Sequence, residues 1–264
     1  MKVLVICHFY NEEYLLPFWL DHHTKLFDHG IMINNGSTDR SVEIIKEYAP
    51  DWKIIDSKLN SFDALALDCI VQQQEMTWNG WKICLNVSEF ITNDLRRVIE
   101  DAERKNIYAL ETKPFIMFDP NENIELIASV PLLVQKPFGF YDNALYDFLM
   151  RDQKLRKLFH LLLFKKGSYK RRARLLHRHL LGGYSPGRHN WFHKSCRNDD
   201  LKMYWYGFSP STKDFVKRKL SFGETLPDEQ QSLGRYHNID RNKLKIIFLI
   251  HKVFFKIFGT KLDD

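Results

Sequence analysis

Short apolar runs alternate with amphipathic segments along the first 110 residues of the chain. The apolar runs are typical of buried strands. They lie at 3–7, 31–33, 52–55, 81–85 and 108–111. Between them, apolar residues recur with the period of a helix. These helical segments are 12–27, 41–48, 64–74 and 95–104. Strands that alternate with helices of this length predict parallel βαβ units, and therefore an α/β fold.

The pattern changes after residue 114, where prolines punctuate shorter apolar pieces. This change predicts antiparallel strands or loops. The basic stretch 151–181 then predicts one or two helices, and 242–258 predicts a last helix. We therefore divide the chain into an α/β core, a region of basic helices that completes the same domain, and an amphipathic C-terminal helix. These three parts are 1–150, 151–240 and 241–264.

The positive charge is concentrated in one segment. The chain of 264 residues has 39 basic and 33 acidic side chains, which gives a formal net charge of +6. Residues 151–181 contain eleven Lys or Arg and one acid, so the rest of the chain is net acidic. Leu and Phe interleave with these basic residues, as they do with the lysines of 242–258. Three interpretations stay open: contact with RNA phosphates, an interfacial helix on an anionic membrane, and helices docked on the body with lysines outward. The interleaving favours the membrane over nucleic acid.

The cysteines and the hydropathy restrict the compartment. The four cysteines are widely spaced and form no C-x-x-C pair, which favours a reducing compartment over a disulfide framework. The first residues lack the apolar core and the cleavage site of a secretion signal. No run of about 18 apolar residues predicts a membrane span. We expect a cytoplasmic protein, peripheral on the cytoplasmic membrane face if the basic segments bind there.

Polar segments near the ends of the predicted strands are candidates for a ligand site. They lie at 8–13, 34–39, 61–63 and 86–89. Ligands of parallel sheets bind beyond the carboxyl ends of the strands, so these segments predict one shared site.

Several of these positions also have a structural interpretation. Asn11 is a good helix N-cap, and 35–39 is a plausible turn before a capped helix. Glu89 is compatible with a plain strand-end acid. The histidines at 177, 179 and 193 lack the Glu of an H-E-x-x-H pattern, so structural or solvated roles are favoured for them.

Five motifs occur in a fixed order along the chain. The first is an Asn-Glu pair followed by Leu, Trp and His (8–23), and the second reads Asn-Gly-Ser-Thr-Asp (35–39). The third reads Asn-Val-Ser-Glu-Phe (86–90), the fourth is Gly-Arg-His (187–189), and the fifth covers 201–237. Together they resemble family 2-like glycosyltransferases of the GT-A fold, over roughly residues 2–240.

The resemblance implies a GT-A-like (Rossmann-like) mixed sheet flanked by helices, with a helical basic C-terminal part. In this arrangement residues 1–150 form the nucleotide-sugar-binding core and residues 151–240 include the acceptor side. It also implies inverting transfer of a sugar from a nucleotide-sugar donor to a glycan or lipid-linked acceptor in surface-polysaccharide assembly. Small polar residues at the strand ends suit the base and the ribose, and a divalent metal, Mn²⁺ or Mg²⁺, neutralises the diphosphate. The implied nucleotide-binding residues are Asn11, Glu13, Asn35, Asp63, Asn86, Ser88 and Arg188. The implied metal ligands are Ser88, Glu89 and His189, and the candidate bases for the acceptor hydroxyl are Glu89 and Asp142.

The chain departs from the family pattern at three positions. Asn34 replaces the Asp that opens the second motif, and Asn86 and Ser88 replace the two carboxylates associated with the metal. A hard dication prefers charged oxygen ligands. Three possibilities stay open: weak metal binding, neutralisation of the diphosphate by cations such as Arg188, or an inactive GT-A-fold protein that binds or scaffolds a partner at the membrane.

Overall fold

The computed structural model describes residues 2–118, 125–142, 172–209, 212–221 and 241–262. All structural statements below concern these residues. Most of the basic segment predicted to be helical, 151–171, lies outside them.

Four parallel strands form one half of the sheet. They are β1 (Val3–Phe9), β2 (His29–Asn34), β3 (Lys53–Asp56) and β4 (Trp81–Asn86). The connecting helices are α1 (Leu16–His23), α2 (Ser41–Tyr48) and α3 (Ala64–Met76). The strand order in this half is β4-β1-β2-β3, so the chain reverses its direction of winding between β1 and β4. A ligand crevice is expected outside the carboxyl ends of the strands at such a switch point.

Strand β1 is buried on both faces, which explains its continuous apolar sequence. Val3, Val5 and Cys7 pack into a core shared with α1, α2 and the later helix α4 (Leu95–Arg104). Leu4 and Ile6 point into a second core shared with α3. The sheet is therefore covered by helices on both sides, and the predicted α/β class with a mixed, flanked sheet is confirmed.

The second half of the sheet is mostly antiparallel. It contains β5 (Glu89–Ile91), β6 (Ala109–Met117), β7 (Phe138–Tyr141), β8 (Leu175–His177), β9 (Cys196–Trp205) and β10 (Thr260–Lys261). The full order is β10-β7-β6-β8-β4-β1-β2-β3, with β9 paired to both β5 and β6. The short helix α5 (Leu132–Gln135) precedes β7, and α6 (Lys213–Ser221) follows β9. Strand β8 lies between β4 and β6, so the predicted helix is wrong over residues 175–177.

The last helix, α7 (Arg241–Phe258), confirms the predicted amphipathic segment. It packs through His251 and Phe254 against an aromatic cluster of the sheet that includes Phe118 and Phe140, and its Leu244 is also buried. None of the helices in the described residues is long and apolar enough to cross a membrane. All four cysteines are free, with Cys7 and Cys84 buried and the other two exposed.

Candidate functional site

The loops that follow β1 and β2 are fastened to each other by Asn11. Its side-chain Oδ1 accepts from the backbone N–H of Thr38 (2.7 Å), and its own N–H donates to Ser37 Oγ (3.0 Å). Asn11 adopts a left-handed φ of +50°, which Asn tolerates better than most residues. Helix α1 begins at Leu16 with Leu15 as its N-cap, so the interpretation of Asn11 as a helix cap is wrong.

Glu13 and Asn35 belong to the same pair of loops. Glu13 Oε2 accepts from the N–H of Arg40 (3.1 Å), and the N–H of Glu13 donates to Asp39 Oδ2 (3.0 Å). Asn35 Oδ1 accepts from Ser57 Oγ (2.8 Å), which links this pair of loops to the end of β3. The structure thus brings together three of the predicted nucleotide-binding residues.

Two further positions have clear local roles. Asn34 Oδ1 accepts from the N–H of Ser37 (2.9 Å), so the residue that departs from the family's Asp still closes the turn. The exposed side chain of Asp63 caps α3, where it accepts from the N–H groups of Leu65 (2.9 Å) and Ala66 (3.0 Å). Its hydrogen bonds in the structure are those of a helix cap.

The carboxylate of Glu89 lies in a buried ion pair with Arg174. Both side chains are 1% exposed, and Arg174 donates from Nε to both carboxylate oxygens (3.0 and 2.9 Å) and from its terminal nitrogen to Oε1 (2.8 Å). Glu89 Oε2 also accepts from the backbone N–H of Asn86 (2.8 Å). Glu89 is therefore a fixed partner of Arg174, and its roles as acceptor base and metal ligand stay predictions.

Arg188 is the second buried cation at the end of β4. One terminal nitrogen is ion-paired with Asp68 of α3, and the other donates to Asn86 Oδ1 (3.2 Å). The side chain is 4% exposed, and its Nε has no hydrogen-bond partner among the described residues. Arg188 has a left-handed φ of +58°. Such a conformation costs about 1–3 kcal/mol in a non-glycine residue, and strained residues of this kind cluster at functional sites.

The two histidines at this edge of the sheet sit in a positive field. His8 at the end of β1 stands directly beside Asn86 of β4 in the sheet register, at the switch point. Burial, and then the charges of Arg188 and Arg174, hold the pKa of His8 well below its usual range. Burial, and then the same arginines together with Arg172, lower the pKa of His189 to about 2. Both imidazoles are therefore neutral at physiological pH. His189 Nδ1 is buried, and no hydrogen-bond partner for it is found in the part of the chain that the structure describes.

More basic side chains approach the site from the C-terminal part of the chain. Arg218 of α6 pairs with Glu12 in the loop after β1 (2.8 Å). Burial, and then the neighbouring Arg218, lowers the pKa of Lys219 to about 8.

Asp142, a predicted base, is buried at the end of β7 and accepts from the N–H of Arg172 (3.1 Å). The sequence did not identify Arg174, Asp68 or α6 as parts of the site.

The residues present do not fit a divalent metal. Among the described residues, no group of three or more His, Cys, Asp or Glu side chains is arranged to hold one. Glu89 is already neutralised by Arg174, and Asn86 and Ser88 offer only neutral oxygens. The arginines that depress the pKa of His189 also repel a dication at this place. The chemistry of these side chains favours an anion.

No family model and no curated protein matches the chain. Similarity to solved structures is distant. One is S. aureus TarS 1–349 in complex with UDP-GlcNAc, at 18% identity over 48% of this chain and 37% of that one, with a TM-score of 0.36. Another is glucosyl-3-phosphoglycerate synthase from Mycobacterium tuberculosis with Mn²⁺, UDP-glucose and phosphoglyceric acid, at 13% identity over 71% and 61%, with a TM-score of 0.40. A putative glucose-1-phosphate thymidylyltransferase from Bacillus anthracis matches at 15% identity over 47% and 60%, with a TM-score of 0.32. The chain thus spans between 37% and 61% of the length of these structures.

Proposed function

We propose that the protein is a glycosyltransferase that uses a nucleotide-sugar donor and a glycan or lipid-linked acceptor, with surface-polysaccharide assembly as its setting. One observation carries the proposal. Polar loops and buried cations meet at the switch point between β1 and β4, where His8 and Asn86 lie side by side and Arg188 contacts Asn86. This is where an α/β sheet binds nucleotides, and the cations suit a diphosphate. The ordered motifs of the sequence support the same conclusion.

The reaction follows from the chemistry of the donor. An acceptor hydroxyl oxygen forms a bond to the anomeric carbon while the bond from that carbon to the diphosphate oxygen breaks. The nucleoside diphosphate leaves with the electron pair, and the hydroxyl proton passes to a carboxylate, which gives inversion in a single displacement. Of the two predicted bases we assign the proton to Asp142, whose carboxylate accepts a backbone N–H from Arg172, whereas the Glu89 carboxylate is held by the guanidinium of Arg174.

The test is the release of nucleoside diphosphate from a panel of nucleotide sugars, with and without candidate glycan acceptors. Asp142→Asn is expected to slow transfer by about 10²–10⁴-fold and to leave donor affinity unchanged, since a general base acts on the acceptor. Asp21→Asn, on an exposed helix surface, serves as the matched control. Absence of both nucleotide-sugar binding and release would overturn the transferase proposal.

A catalytically inactive scaffold is the second candidate, and the engagement of Glu89 favours it. With Asn86 and Ser88 in place of carboxylates and Glu89 ion-paired, the end of β4 offers no free acid among the residues 86–89. This candidate predicts nucleotide binding without release of the sugar. Binding in calorimetry, combined with no turnover for any donor and acceptor pair, would decide in its favour.

We further propose that the outer face of α7 rests on an anionic membrane surface. Opposite its buried side, the helix exposes an apolar stripe formed by Ile246, Leu249, Val253 and Ile257, of which Leu249 is 63% exposed. The exposed Lys245, Lys252 and Lys256 run beside this stripe. Apolar residues flanked by lysines are complementary to an anionic lipid surface, where each lysine adds about 1 kcal/mol.

Flotation with vesicles tests this proposal. The protein should float with phosphatidylglycerol vesicles but much less with phosphatidylcholine vesicles, and Leu249→Gln should reduce flotation. Leu65→Gln is the control, because Leu65 is similarly exposed (61%) on α3. Failure to float would overturn the proposal. A dimer in solution that Leu249→Gln dissociates would also overturn it, because a second copy of the chain would then cover the stripe.

A further inference from the structure

We propose that Arg188 binds the donor diphosphate directly, so that donor binding needs no divalent cation. This inference rests on the nucleotide-sugar function proposed above and specifies how the site recognises the donor. It departs from the metal-bound diphosphate that the sequence resemblance implies.

The first support is the position of the Arg188 guanidinium. It is held between the carboxylate of Asp68 and the amide oxygen of Asn86, at the switch point where a nucleotide is expected. Its Nε and the neighbouring His189 Nδ1 are both buried, and neither has a hydrogen-bond partner within the described ranges. Unpaired polar groups are costly to bury, and a ligand oxygen would satisfy the Arg188 N–H.

The second support is the rigid frame that fixes Arg188. Arg174 donates to the carbonyl oxygen of Gly187 (2.8 Å) while it is paired with Glu89. Glu89 in turn holds the backbone of Asn86, which is the acceptor for Arg188. Both ends of the contact between Arg188 and Asn86 are thus tied to one buried ion pair. Arg174 and Glu89 act as positioning residues, and the strained backbone of Arg188 is held in place by this frame.

The third support is the charge of the site. In the pattern that the resemblance implies, two carboxylates and a bound dication together carry no net charge. In this chain Asn86 and Ser88 stand at those two positions, and without a dication they carry no charge either. Arg188 is already paired with one carboxylate, that of Asp68. The amide of Asn86 adds a hydrogen bond without adding a negative charge, whereas a carboxylate at residue 86 would make this group net negative. Asn in place of Asp at residue 86 therefore removes a metal ligand and avoids a second negative charge beside Arg188, which would repel the diphosphate.

The experiment is calorimetry of the full chain with UDP, GDP, CDP and dTDP, in excess chelator and again with Mn²⁺. One of these should bind with the same affinity in both conditions. Asn86→Asp should weaken binding in chelator by about tenfold, because a second carboxylate beside Arg188 makes its group with Asp68 net negative and repels the phosphates. Arg188→Met should weaken binding by about 10- to 100-fold, and Arg104→Met, on an exposed helix, is the matched control. If Arg188→Met does not fold, Arg188→Lys takes its place. This variant keeps the positive charge but lacks the planar set of guanidinium N–H donors, so it should still bind more weakly than the native chain.

The outcomes separate the two proposals. Binding only in the presence of Mn²⁺ would overturn the direct contact and leave the transferase function standing. Unchanged binding by Asn86→Asp together with unchanged binding by a folded Arg188 variant would also overturn it. No binding of any nucleoside diphosphate in either condition would overturn the proposed function, and the direct contact would fall with it.

Discussion

Substitution of Glu89 by Gln should destabilise the whole protein, although it removes only one charge. The native carboxylate compensates the positive charge of Arg174, and both side chains are buried, at 1% exposed. Gln keeps the size of the side chain but provides one neutral acceptor in place of two charged oxygens. Arg174 would then be a buried cation without a counter-charge.

The expected loss is large. Breaking a buried ion pair from one side costs about 3–5 kcal/mol. An exposed pair contributes only about 0.2–1 kcal/mol, which is the expected loss for Asp21→Asn in its pair with Lys25. For a chain of this size, the Glu89→Gln loss corresponds to a decrease in Tm of roughly 6–20 °C.

Equilibrium unfolding in urea measures both variants under the same conditions. The double variant Glu89→Met with Arg174→Met should lose less stability than the sum of the two single variants, because it leaves no unpaired charge. If Glu89→Gln lowers the unfolding free energy no more than Asp21→Asn does, the pair does not hold the site together and the reasoning is refuted.

Three further predictions concern titration and packing. Burial holds the pKa of His23 well below its usual range, so unfolding takes up a proton below about pH 6.5. The unfolding free energy should therefore fall from about pH 7 to pH 5, and equal slopes for the native chain and His23→Gln in urea titrations would contradict this. Burial and Arg218 lower the pKa of Lys219 to about 8, so this side chain loses its charge above that value. Affinity for the nucleoside diphosphate that binds should decline above about pH 8 in calorimetry, and persistence of the same decline in Lys219→Met would exclude this residue as its cause. A Cβ at Gly139 would lie 2.7 Å from the carbonyl oxygen of Ile116, so Gly139→Ala should cost about 1–3 kcal/mol in thermal unfolding. An unchanged Tm would show that β6 and β7 adjust freely.

The parallel half of the sheet could be predicted from the sequence, because its strands and helices are strongly periodic and contiguous. Helix α4 has the predicted bounds, and α3 and α7 differ from theirs by no more than two residues. The antiparallel half could not be predicted in the same way. Strand β8 has only three residues and lies in a basic stretch whose leucines also suit a helix. Its pairing with β4 and β6 depends on contacts between distant parts of the chain, which a local pattern does not contain.

The site was predictable only where it lies at strand ends. Asn11, Glu13 and Asn35 were identified because they follow buried strands, and the structure joins their loops. Arg174 could not be distinguished from the surrounding basic residues, because composition does not reveal which cation turns inward. Asp68 appears in the sequence as one position of the helical segment 64–74, and its partner Arg188 is far along the chain.

The central place of β8 also has a consequence for how the protein folds during synthesis. In the finished sheet β8 lies between β4 and β6. The ribosome synthesises β8 about 60 residues after the end of β6, and at ordinary rates this synthesis takes about 3–12 s. During that interval β4 exposes an unpaired edge next to an apolar face, which is a template for association with other chains. A chain that ends at residue 150 would keep this edge permanently. We therefore expect the nascent protein to depend on chaperone protection until residue 177 has emerged, and the first 150 residues alone to aggregate rather than form a small independent domain.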